Sequence, residues 1–161
     1  MTESQVAPPA GRRRSADIAL AAAGVLTTCM ALYHFWLPFA FRWGDALVQA
    51  PALRWGLFML NASFSYLLLA GGVATIALAL GAGSRQGAGR WVLVAMFGYW
   101  LFNASYQLVN PLPLPPGFAL LGWCFFGFAA AVALLYAGAL VRGPRSAATP
   151  STSVRPAALA G

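Results

Sequence analysis

Four long apolar blocks, separated by short stretches where arginine, glycine and proline collect, set the pattern of this chain. The first block runs from Ile18 to about Phe41, the second from about Trp55 to Leu80, the third from Trp91 to Val109 and the fourth from Phe118 to Val141. Apolar residues fill these blocks continuously instead of recurring at a helical or strand period. At about 1.5 Å of rise per residue, each block is long enough as a helix to cross ~30 Å of hydrocarbon. No water reaches that interior, so each crossing segment must satisfy its own backbone polar groups, and a helix does so. The pattern predicts an all-α, polytopic membrane protein, a four-transmembrane-helix bundle over residues 18–141.

The connections are short and each has its own composition. RWGDALVQAPALRW, between the first two blocks, is too short to span and carries Trp43 and Trp55, whose amphipathic rings suit a membrane interface. It predicts one or two helical turns lying on the membrane with Asp45 as the cap; otherwise Asp45 pairs with Arg42 or Arg54. GAGSRQGAGR, between the second and third blocks, has the glycines of a phosphate loop but neither a preceding strand nor a following Gly-Lys-Ser/Thr. It reads as a flexible turn. NPLPLPPG, between the last two, has proline at 111, 113, 115 and 116, a density that predicts an extended polyproline strap. Residues 1–17 and 142–161 are small, polar and proline-bearing, the composition of disordered tails.

Composition strengthens the membrane assignment. The chain is 60% hydrophobic and only 8% charged, whereas a soluble domain carries about a quarter of its residues charged. The net charge of +7 comes entirely from arginines, most of them at the borders of apolar blocks, where basic residues orient a membrane protein. Nucleic-acid binding is thereby rejected. The two tails and the glycine-rich turn hold eight arginines, Arg12, Arg13, Arg14, Arg85, Arg90, Arg142, Arg145 and Arg155, against Arg42 and Arg54 on the other side. That split places both termini in the cytoplasm. Arginine without lysine, beside abundant alanine, glycine and proline, is what a GC-rich coding sequence yields, and points to a bacterial cytoplasmic (inner) membrane. Arg12 to Arg14 resemble the start of a signal peptide, but the first block ends in the bulky YHFWLPFAF with no small-residue cleavage site. It reads as an uncleaved anchor, and RRRSAD is a poor twin-arginine signal.

Candidate chemistry lies at one level of the bundle. His34, the chain's single histidine, is about seven residues inside the outer end of the first block, ~10 Å deep. Asn61 is about six residues into the second block and Asn103 about six before the end of the third, each ~9 Å deep. Three spans thus bring their most polar residue to a common depth. Tyr99, Asn103 and Tyr106 share one helical face, bordered by Gln107 and Asn110, and Ser65 lies one turn beyond Asn61. The segments GLFMLNASFSY and GYWLFNASYQL echo one another at Gly, Asn, Ala and Ser, a weak sign of inverted symmetry. Their NAS triplets fit a glycosylation sequon but lie within the bilayer. Pro38 has no N–H, so the carbonyl of residue 34 loses its helical donor and a polar niche opens there, by a kink or by fraying. The asparagine amides, water or a ligand are expected to fill it.

The layer formed by His34, Asn61, Ser65, Tyr99, Asn103, Tyr106 and Gln107 has a plain reading and a sharp one. The plain reading is interhelical glue, worth roughly 0.6 kcal/mol per bond. In the sharp reading they line a pocket near the outer face, roofed by the proline strap and binding a partner subunit or an apolar ligand. A general base needs a partner to set its pKa, and the four spans contain no Asp, Glu, Lys or second His. The sequence therefore favours a non-enzymatic protein. The alternative is an enzyme or redox component acting on a lipid or quinone, with His34 as proton acceptor or hydrogen-bond donor. No cofactor is predicted, although a haem on a single axial histidine or a quinone is compatible with the layer. No Cys/His spacing suggests a metal, and Cys29 and Cys124 fall at different depths, against a disulfide.

Expected partners are the lipid bilayer and a membrane subunit or a second copy of the chain. Ala19, Ala23 and Thr27 in the first span and Ala129, Ala133 and Ala137 in the fourth form stripes that let helices approach, mainly within the chain. Gly71 and Gly72 are expected to relax the second span. Trp100 and the Trp123–Phe128 cluster are expected to face lipid or the interface.

Overall fold

The computed structural model describes residues 10–81, 87–111 and 117–141. The chain forms α1 (Ala10–Ala40), α2 (Trp43–Ala46), α3 (Pro51–Ala79), α4 (Ala88–Val109) and α5 (Ala119–Val141). All but the single-turn α2 are long and apolar enough to cross a membrane, as expected of a multi-pass four-helix bundle. Many large apolar side chains point outward, among them Phe102 at 67% and Leu134 at 72% exposure. A soluble protein does not present such a continuous apolar exterior; a lipid-embedded one does.

Three helices begin earlier than the hydrophobic pattern alone suggests, α4 by three residues at Ala88. α1 starts at Ala10, so residues 10–17, expected in the tail, extend the first helix. Alanine and arginine are good helix formers, and a helix nucleated in the span propagates back through them. α3 starts at Pro51, where a proline suits the first turn because its missing N–H would have no helical partner. The expected tails at 1–9 and 142–161, residues 82–86 of the glycine-rich turn and residues 112–116 of the strap lie outside the described residues.

α2 is one turn, entered through Arg42 in the left-handed region (φ 49°, ψ 45°). Asp45 does not cap it. The carboxylate instead receives Arg42, with Nη2 2.6 Å and Nε 2.8 Å from Oδ2. Both side chains are largely exposed, so this pair contributes little stability.

α1 and α3 pack as one antiparallel hairpin and α4 and α5 as a second; the hairpins join chiefly through α1 and α5, and more lightly through α3 and α4. Glycine sets the α1–α3 seam. A Cβ on Gly24 would meet Ile76 Cγ1 at 2.7 Å and the Gly72 carbonyl at 2.9 Å. One on Gly72 would meet Thr28 in return, and one on Gly71 would collide with the Met96 sulfur of α4. Gly71 and Gly72 therefore do not loosen their helix, as the sequence suggested. They admit two neighbours at close range, which is how helices associate where no hydrophobic effect separates them from lipid.

The buried core lies toward the end of the bundle where α1 begins and α5 ends. Its residues include Leu20 and Ala23 on α1, Leu68 and Leu78 on α3, Leu93 and Met96 on α4, and Ala129, Val132 and Ala133 on α5. At its centre each spanning helix supplies one polar side chain: Thr27, Thr75, Trp100 and Tyr136, none more than 2% exposed. The Trp100 indole Nε1 donates to Thr27 Oγ1 at 3.1 Å, and the Tyr136 hydroxyl donates to Thr75 Oγ1 at 3.1 Å with Thr27 Oγ1 also 3.2 Å away. Each threonine sends its own proton to a carbonyl one turn back, Thr27 to Ala23 at 2.8 Å and Thr75 to Gly71 at 2.7 Å. Every donor is used, so these polar groups tie four helices without an unsatisfied proton. Trp100 was expected at the lipid surface and is instead central to the fold.

Candidate functional site

At the opposite end, the end that carries α2, a half-open cavity of about 430 Å³ lies between the two hairpins. α1 lines it with Met30, Tyr33, His34, Leu37 and Phe41; α4 with Tyr99, Trp100, Asn103, Tyr106, Gln107 and Asn110; α5 with Leu121, Phe125 and Phe128. Trp43 of α2 closes over it, braced edge-on against Phe58 of α3 at 5.9 Å between centroids. The helical period explains each wall. Tyr99, Asn103, Tyr106 and Asn110 step by four, three and four residues along one face of α4, and Leu121, Phe125 and Phe128 do the same on α5.

Five of the seven residues singled out from sequence, His34, Tyr99, Asn103, Tyr106 and Gln107, therefore meet around one cavity. Asn61 and Ser65 do not line it. Asn61 Nδ2 donates to the His34 carbonyl at 2.8 Å, the acceptor that Pro38 leaves without a helical donor. α1 neither frays nor ends there; it continues through Pro38 to Ala40. Ser65 is fully buried and returns its hydroxyl proton to the Asn61 carbonyl at 2.7 Å. Asn61 thus pins α3 to α1 while Ser65 bonds within α3, so the two NAS segments do not share a role.

The polar groups on α4 are ordered in pairs. Gln107 Nε2 donates to Asn103 Oδ1 at 2.6 Å, and Asn110 Nδ2 donates to the Tyr106 hydroxyl at 2.6 Å. Those bonds consume an acceptor on Asn103 and on Tyr106 while leaving the Asn103 amide protons and the Tyr106 hydroxyl proton free to donate, among the described residues. Across the cavity, His34 is half-buried, its imidazole edge-on to Tyr33 at 6.0 Å and adjacent to the Asn61 side chain. No charged side chain lines the cavity among the described residues.

Sequence reasoning missed the aromatic walls. Trp100 forms the floor, in edge contact with Tyr99 at 5.3 Å and Phe128 at 5.5 Å. Phe125 and Phe128, expected with the Trp123–Phe128 cluster at lipid or the interface, and Trp43, expected at the interface, line the cavity instead, as does Tyr33 from an apolar run; the signal that could have found the α5 wall is its four-then-three spacing. Compared with protein-family models, with curated proteins and with solved structures, the chain matches none.

Proposed function

We propose that this protein binds a small lipophilic ligand in the cavity between its two helical hairpins, and does so without catalysing a reaction. The observation that carries this reading is the convergence of His34, Tyr99, Asn103, Tyr106 and Gln107 on one largely apolar cavity of about 430 Å³. Ligand sites are concave, mostly apolar and furnished with a few polar groups that fix orientation, with volumes of about 300–1,000 Å³. Glue alone leaves no such space, because polar residues that serve only packing are closed over by their partners, as Asn61 and Ser65 are. Catalysis is the weaker reading because no carboxylate or second imidazole faces His34 in the cavity among the described residues. The arginine distribution, eight against two, supports a bacterial inner membrane with cytoplasmic termini, which turns the cavity toward the outer face.

The test is the ligand itself. Protein purified in mild detergent is extracted with organic solvent and analysed by mass spectrometry beside a Met30→Trp variant, whose indole fills space between α1 and α5. A lipophilic species should accompany the wild type and fall by about tenfold in a variant that keeps its helicity and melting temperature. Identical extracts from the two proteins would remove the proposal.

A further inference from the structure

We infer that the ligand is a neutral, flat ring bearing carbonyl oxygens at its two ends, the chemistry of a quinone head group. This rests on the reading of the cavity as a ligand site and adds what the site selects. Eight of the fifteen described lining residues are phenylalanine, tyrosine or tryptophan, against 14% in the chain as a whole, so the walls offer ring faces and edges to a planar guest. A flexible acyl chain needs no such walls.

Charge and donor direction narrow the guest further. With no ionised side chain in the lining among the described residues, a charged head group would be desolvated without a partner, which costs several kcal/mol. On α4 the bonds from Gln107 and Asn110 turn the Asn103 amide and the Tyr106 hydroxyl into donors. On α1, the facing wall, the His34 imidazole borders the cavity beside the Asn61 side chain, and turning its N–H from that amide to a guest supplies the opposing donor. Donors on two facing helices match a molecule with an acceptor at each end, and a para-quinone is the compact lipophilic ring of that kind. The cavity is too small for a long isoprenoid tail as well, so the head enters and the tail remains in lipid.

The test uses the purified full-length protein in detergent and three probes with the same decyl tail: a para-benzoquinone, a naphthoquinone and a carbonyl-free decylbenzene. Binding is read by quenching of tryptophan fluorescence, since Trp43 and Trp100 line the cavity, and independently by thermal shift. At least one quinone should bind about tenfold more tightly than decylbenzene. Asn103→Leu should erase that advantage while leaving decylbenzene binding unchanged, and His34→Gln, which keeps a donor, should retain more of it than His34→Phe. The quinone that binds better identifies the ring size. If all three probes bind alike and Asn103→Leu changes nothing, the carbonyl-ring assignment falls and the lipophilic-ligand reading stands. If none binds and the extract of the native protein is empty, both fall.

Discussion

The two ends of this bundle are built from the same four helices and solve opposite problems. Toward the start of α1 and the end of α5, glycine and alanine draw the helices together, and Thr27, Thr75, Trp100 and Tyr136 spend every proton on one another or on a nearby carbonyl. Toward α2, bulky side chains hold the hairpins apart, and Asn103 and Tyr106 keep protons in reserve around a cavity. The same residue types, hydroxyls and amides inside a membrane, serve cohesion in one place and availability in the other. What separates the two is whether a polar atom's last partner is protein.

The strongest way to break that contrast is to put a side chain into the tight half. Gly72→Val adds atoms against the Thr28 backbone and hydroxyl of α1, and backbone cannot yield as a side chain does. Unfolding in mixed micelles should show a loss of about 3 kcal/mol. A wild-type transition would mean that the seam is not closely packed.

A smaller effect is expected at Asn61, where the seam runs on into the open half. Asn61→Leu leaves the His34 carbonyl without a donor and should cost about 1 kcal/mol. Alanine at position 38 restores the helical N–H, so in a Pro38→Ala background the same change should cost only about 0.3 kcal/mol. Strict additivity in that double-mutant cycle would show that the proline and the asparagine act independently. The smallest stability effect belongs to the cavity itself. Asn103→Leu should shift unfolding by less than about 0.5 kcal/mol, since the amide it removes supports no other helix. A loss comparable to that of Gly72→Val would make the polar layer a structural element after all.

The spans and the polar face of α4 could be read from the chain because both are one-dimensional properties: apolar length sets the first and a helical period the second. Depth is one-dimensional too, which is why His34, Asn61 and Asn103 could be put at one level. Rotation about each helix axis is not. Asn61 and Asn103 occupy matching triplets at matching depth, yet one faces α1 and the other the cavity, and only the packing order of the helices decides this. The buried cluster escaped for a different reason. Threonines in a helix return their protons to their own backbone, so Thr27 and Thr75 look like small filler residues. A tryptophan in the middle of an apolar span reads as one more lipid-facing aromatic, and nothing local to Trp100 says that its N–H points inward to α1.

On the ligand-binding proposal, that indole would also limit how far a guest can travel. Its ring is the cavity's lower boundary and its N–H is fastened to Thr27 below. Swinging it aside to make room would strand a dry donor in the middle of the bundle, a penalty of about 1–3 kcal/mol. On the proposed ligand reading, a long molecule would therefore be turned sideways toward lipid by the anchoring of one nitrogen.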